Sequence, residues 1–168
     1  MSDRDDAEAR LKEKFWDELK DSPFLMLGLQ GVDDDFTRPM TAQIDERRIY
    51  FFAARSENLF KALGRTNRAI ATYAGKGHKL FASIHGTLTE DMDPAVIERL
   101  WNPIIASWFK EGKDDPDLDL LRLDAESADV WEAQAGATLK AAALKMLFNI
   151  DPGKEFTWTY TYDYFVTK

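Results

Sequence analysis

Ser83 and His85 stand two residues apart in a stretch that alternates apolar and polar side chains, which puts both on one face of a strand. A hydroxyl beside an imidazole is the pairing that can make a serine nucleophilic. No Gly-x-Ser-x-Gly turn surrounds it, so the pair reads as a polar strip facing a pocket or solvent rather than as a hydrolase centre. His78 and His85, the chain's two histidines, are seven apart. That odd spacing sends them to opposite faces of a strand, and no metal site is expected. The chain has no cysteine, which excludes disulfides, thiolate zinc sites and cysteine nucleophiles.

The second set of chemical groups is cationic and polar: Arg38, Arg55, Ser56, Asn58, Lys61 and Lys76. Arg38 lies in a strand between Thr37 and Pro39. Arg55, Ser56, Asn58 and Lys61 fall where a strand turns into a short helix, a place whose backbone N–H groups attract phosphate. No Gly-x-Gly-x-x-Gly and no Walker motif is present, so a phosphate would be held by side chains and turn amides. Composition gives this cluster its weight. The 168 residues carry 30 acidic against 22 basic side chains, a formal charge of -8. Such a balance argues against nucleic-acid and anionic-membrane partners, which need a positive face. The carboxylates gather in the N-terminal helix, at 33–35 and in the loop at 114–119, and are expected to lie away from the basic cluster.

Leu11, Phe15 and Leu19 recur four apart and predict an amphipathic helix, ended by Ser22 and Pro23. Strand-type segments follow at 24–30, 37–44 and 48–54, the last two joined closely enough for a hairpin. In the second of them Arg38, Met40, Ala42 and Ile44 share one face, with Thr37, Thr41 and Gln43 on the other. A short helix is expected at 57–63 and strands at 68–74 and 79–90, where Leu80, Ala82, Ile84 and Leu88 face one way. Gly86 inside that strand signals a bulge or a close approach to a ligand. Asp93 and Pro94 open a helix whose stripe runs through Leu100, Trp101, Ile104 and Trp108, kinked by Pro103. Segments 120–123 and 127–134 read as extended, with Trp131 on the same side as Asp129 and Ala133. Residues 138–148 read as a helix, and the aromatic–threonine alternation at 156–166 as a strand.

Short strands joined by tight turns imply an antiparallel sheet, and about six of them close most easily as a small barrel. The fold expected is mainly β with flanking helices: one domain over 1–168, with a helix at 5–20, a barrel over about 23–135, and a helix and tail at 138–168. The polar N-terminus and the lack of an apolar run of about 18 residues suggest a soluble cytoplasmic protein without a membrane partner.

Several motifs in order carry a family resemblance. They are Phe15-Trp16-Asp17-Glu18-Leu19, Thr37-Arg38-Pro39-Met40-Thr41, Ile49-Tyr50-Phe51-Phe52, the run from Lys76 through His85 to Leu88, Leu100-Trp101-Asn102-Pro103, and Ala128-Asp129-Val130-Trp131. Over roughly residues 11–150 the chain resembles the pyridoxamine 5'-phosphate oxidase-like split-barrel flavoproteins, most of all the bacterial general stress protein subgroup. The resemblance implies an antiparallel split β-barrel that binds FMN, or alternatively FAD or another flavin, at a homodimer interface. It implies that Arg38, Pro39, Met40 and Thr41 run beside the isoalloxazine. Phe52, Ala53 and Ala54 would supply backbone contacts, and Ser56, Asn58 and Lys61 would hold the phosphate. Ser83 and His85 would form another wall, with Trp131 reaching in from the partner subunit. The activity implied is that of an FMN-dependent oxidoreductase. The alternatives are a flavin-binding sensor or carrier without turnover, or a split barrel that no longer binds flavin. The chain departs from the family where Ala53 and Ala54 replace hydroxyl residues, and where Glu57 and Leu59 replace a serine and a lysine.

Overall fold

The computed structural model describes residues 3–31, 37–64, 66–133 and 157–163. The turn expected at 33–35 and the helix expected at 138–148 lie outside the described residues. Helix α1 (Asp3–Asp21) lays down the stripe that its periodicity predicts: Leu11, Phe15, Trp16 and Leu19 are all buried. Phe15 meets Tyr73 edge-on at 6.0 Å, and the Tyr73 hydroxyl donates to the Glu18 carbonyl at 3.0 Å. Each such buried side chain is worth roughly 1.5–3 kcal/mol, enough to hold a helix that propensity alone would leave marginal. At the polar edge of α1, Arg10 and Lys14 reach Glu132 at 2.8 and 2.6 Å. Their hydrogen bonds hold its carboxyl down to about 2.

The sheet contains β1 (Phe24–Leu29), β2 (Arg38–Thr41), β3 (Gln43–Asp45), β4 (Arg48–Ala54), β5 (Arg68–Ala74), β6 (Leu80–Glu90), β7 (Leu118–Ala133) and β8 (Thr157–Asp163). Its order is β2-β1-β5-β6-β7-β4-β3, with β8 beside the far half of β7, and every pairing is antiparallel. The two ends of that path, β2 and β3, are separated in the chain only by Ala42. One bent segment therefore borders both edges of the sheet and curls it into a barrel. The segment at 37–44 was expected to be a single strand. It bends because buried Ala42 gives its N–H to the Pro23 carbonyl at 2.7 Å instead of to a neighbouring strand.

Inside the barrel, Leu25, Leu27, Ile49, Phe51, Leu80, Ala82, Ile84, Leu88, Leu121 and Leu123 form the core. Strand β4 is buried on both faces, which explains why its sequence is continuously apolar rather than alternating. Ile49, Phe51 and Ala53 face the barrel core. Tyr50 and Phe52 face a second cluster made with Val96, Ile97, Ile105, Phe109, Leu118 and Leu120.

That second cluster is built by helices α2 (Asn58–Leu63), α3 (Pro94–Leu100) and α4 (Pro103–Ala106) only in part: α3 and α4 supply it, while α2 packs Leu59 into the main core. One kinked helix was expected where α3 and α4 stand. Pro103 disfavours a helical Asn102, and the Asn102 side chain accepts from the N–H groups of Ile104 and Ile105, so the chain stops and restarts. The break shifts the helical register. Trp101 stays half-buried between Phe52 and Phe109, but Trp108, expected on the packing stripe, is 59 % exposed. Among the described residues no helix is long and apolar enough to cross a membrane.

Candidate functional site

Strand pairing leaves one gap in the barrel. Residues 38–41 pair with β1 along one edge, and residues 51–54 pair with β7 along one edge. Because Ala42 bends the chain, β3 pairs only with residues 48–50 of β4. The other edges of β2 and of residues 51–54 have no strand beside them among the described residues. Unpaired backbone donors and acceptors in such a place need a partner, whether solvent or ligand.

A cavity of about 800 Å³ opens at this split. Arg38, Pro39, Met40 and Thr41 line it on one side, and Phe52, Ala53 and Ala54 on the other. Seven of the residues expected to contact a cofactor are thus brought together. The remaining lining is Glu57 and part of the segment at 108–117: Trp108, Phe109, Lys110, Glu111, Asp115 and Asp117. The acidic loop, expected to lie away from the site, forms one of its walls. The cause is the register of β4 on β7: Ala54 sits opposite Leu118, so the residues just before β7 must pass the end of β4. The Arg55 N–H donates to the Asp117 carbonyl at 2.8 Å and locks the two segments together.

The other expected residues lie elsewhere. Ser56 is outside the lining and is occupied by one of the wall residues: its N–H and its hydroxyl each donate to the Asp117 carboxylate at 2.8 Å. Asn58 is exposed at the start of α2. Lys61 lines a separate cavity of about 540 Å³ with Arg55 and Glu90. Arg55 is held there by Glu90, by the Leu118 carbonyl at 3.2 Å and by Asp119 at 3.4 Å. Asp119 is fully buried, and burial with nearby Glu90 pushes its carboxyl up to about 6 against the pull of Arg55. Ser83, His85 and Trp131 lie on the outer face of β6 and β7, where the Ser83 hydroxyl and His85 Nε2 are 3.1 Å apart. Within one copy of the chain they do not border the split.

The walls suit a flat aromatic ligand. Phe52 is buried and rigid, meeting Trp101 edge-on at 5.7 Å, and the exposed Trp108 offers a second ring. Electrostatically the lining is mixed. Arg38 gives a hydrogen bond to Glu57 at 2.7 Å. Asp115 is held below the usual carboxylate range by the N–H groups of Asp117 and Glu111, so it stays ionised while it organises the loop.

The sequence profile of the family described as pyridoxamine 5'-phosphate oxidase like matches residues 10–151. The chain belongs to this family. No curated protein sequence matches it. Among solved structures, the general stress FMN/FAD binding protein of the phytopathogen Xanthomonas citri is 49 % identical, with a TM-score of 0.70 over 76 % of this chain and 92 % of that one. A protein of Xanthomonas campestris pv. campestris, described as of the general stress family, is 48 % identical, with a TM-score of 0.72 over 80 % and 92 %. One from Jannaschia sp. CCS1, described as general stress protein 26, is 28 % identical, with a TM-score of 0.75 over 93 % and 99 %. The antiparallel barrel with its gap between β2 and β4 is the split barrel that the family resemblance implied.

The residues that sequence reasoning missed are Trp108, Phe109, Lys110, Glu111, Asp115 and Asp117, together with Glu57 as a pocket residue. Leu59, at a position where relatives were expected to carry a cation, is an apolar side chain buried in the core, so that position offers a ligand no charge.

Proposed function

We propose that this protein binds a flavin, FMN in the first instance and FAD or another flavin as the alternative, and acts as an oxidoreductase. The observation that carries the reading is the pair of facing strand edges, 38–41 and 52–54, left without strand partners beside an apolar-walled cavity. A planar heteroaromatic ring with donors and acceptors along its rim matches two such edges, and Phe52, Met40 and Pro39 match its faces. When bound, a flavin supplies the hydride or electron transfer that a chain without cysteine or a metal-ligand cluster among its described residues does not supply itself. The protein's part is to place the ring in the split, to set a guanidinium at its rim through Arg38, and to limit water with Trp108 and Phe109.

The proposal extends to a homodimer. Pro39, on the rim of the split, faces the same way as Met26 opposite it in register, and from there the outer face runs to Phe81. Phe24, Met26 and Phe81 are 64 %, 38 % and 39 % exposed, an apolar patch continuous with the pocket rim. A second copy seated on that face would cover the patch and close the split. It would also bring its own outer-face groups toward the ring, which is where Trp131, Ser83 and His85 gain a role.

The test is a titration of the purified protein with FMN, followed by flavin fluorescence and the visible spectrum. Arg38→Ala should weaken binding about tenfold or more, the scale of one charge-assisted hydrogen bond. Arg99→Ala, which removes a surface ion pair with Asp45 outside the pocket, should leave it within about twofold. Equal losses would count against the placement of the ring. Anaerobic bleaching of the bound flavin by NADH or NADPH supports turnover. A bound flavin that neither donor reduces favours the sensor or carrier reading.

A further inference from the structure

The charges of the split are arranged against an anion. Its lining holds two cations, Arg38 and Lys110, and four carboxylates, Glu57, Glu111, Asp115 and Asp117. The best-placed anion-binding groups are engaged by carboxylates of the chain itself. Glu57 sits on the Arg38 guanidinium at 2.7 Å, and Asp117 takes both the N–H and the hydroxyl of Ser56. A carboxylate accepting from a backbone amide and a hydroxyl together stands as a bound phosphate would. Arg38 is the less exposed member of its pair, 19 % against 52 % for Glu57, so the arginine is fixed and the glutamate is the member that can swing out to solvent.

We propose that Glu57 and Asp117 are resident competitors for the ligand's anionic group, and that they make the split prefer a flat ligand with an uncharged tail over the same ligand bearing a phosphate. This rests on the flavin reading above and adds to it the charge selectivity of the site. A phosphate entering the split must break the Arg38–Glu57 bond or the Asp117–Ser56 pair. It must also approach the carboxylates of Asp115 and Glu111, a cost that a neutral tail does not meet.

The experiment compares FMN with riboflavin, which share the ring and differ by the phosphate, on the full chain and on Glu57→Gln. Glu57 is exposed and its replacement is nearly isosteric, so the variant keeps the fold. The expected result is riboflavin binding the unaltered protein at least as tightly as FMN. In Glu57→Gln, FMN affinity should rise by about tenfold through the lost like-charge contact, while riboflavin stays within about twofold. Asp117→Asn should move the ratio the same way. Its unfolding midpoint, read alongside, separates that effect from loosening of the Ser56 turn. An unchanged or reduced FMN-to-riboflavin preference in Glu57→Gln, with riboflavin still bound, overturns this inference alone. Failure of every form to bind either flavin overturns the flavin reading and this inference with it.

Discussion

Gly86→Ala should destabilise the protein by about 3 kcal/mol, lowering the thermal midpoint by roughly 6–12 °C. Gly86 sits where the register of β6 on β7 slips: His85 faces Ser127, but Gly86 already faces Ala125, leaving Glu126 as the extra residue of a bulge. The bulge presses the β7 backbone onto Gly86. A Cβ there would lie 2.2 Å from the Asp124 carbonyl oxygen and 2.8 Å from the Ala125 Cα. Both are backbone atoms, and neither can rotate away as a side-chain end could. Relief requires parting β6 from β7 along their shared length, 80–90 against 121–132. Gly77→Ala is the control. Nothing lies within 4 Å of its Cβ position, so its effect should stay within about 0.5 kcal/mol. Denaturant unfolding of the two variants checks this, and a Gly86→Ala midpoint equal to that of Gly77→Ala would contradict the bulge.

Phe52→Ala should cost about 3–5 kcal/mol and also abolish ligand binding. The side chain is 5 % exposed and fills the second core cluster, edge-on to Trp101. It is also a wall of the split. Truncation therefore opens a void between β4 and the α3–α4 pair, and removes the rigid side of the pocket. Phe52→Leu separates the two effects, since it keeps most of the packing but not the ring. The expected pattern is a small loss of stability in the Leu variant, measured by unfolding, with a clear loss of FMN affinity. Full FMN affinity in Phe52→Leu would remove Phe52 from the site.

Period-2 alternation made β6 readable in detail: Leu80, Ala82, Ile84 and Leu88 all point inward, as their spacing requires. Gly86 marked either a bulge or a close approach to a ligand, and the register slip beside it is the bulge. Elements set by distant contacts were harder to read. Strand β7 runs unbroken over Leu118–Ala133, although its sequence suggested two extended pieces. Asp124 interrupts its apolar pattern and Glu126 is the bulged residue, and only the pairing with β6 on either side carries the strand through them. The bend at Ala42 depends on Pro23, nineteen positions earlier, and so leaves no local mark. The same division runs through the site. Arg38, Met40, Phe52 and Ala54 could be placed from a motif. The wall from Trp108 to Asp117 follows from an antiparallel register between segments more than sixty residues apart, and from a helix break that turns Trp108 outward.

In the proposed reading the gap between β2 and β4 holds the flavin ring. Ala54 lines that gap, is half-buried and belongs to neither core cluster, so a large side chain there fills the cavity. The most direct measurement is FMN titration of the unaltered protein beside Ala54→Trp, with unfolding midpoints taken for both. Saturable quenching of FMN fluorescence by the unaltered protein, lost in Ala54→Trp at an unchanged midpoint, is the predicted result. Equal FMN affinity in the two proteins would contradict it, because the ring would then lie somewhere other than the split.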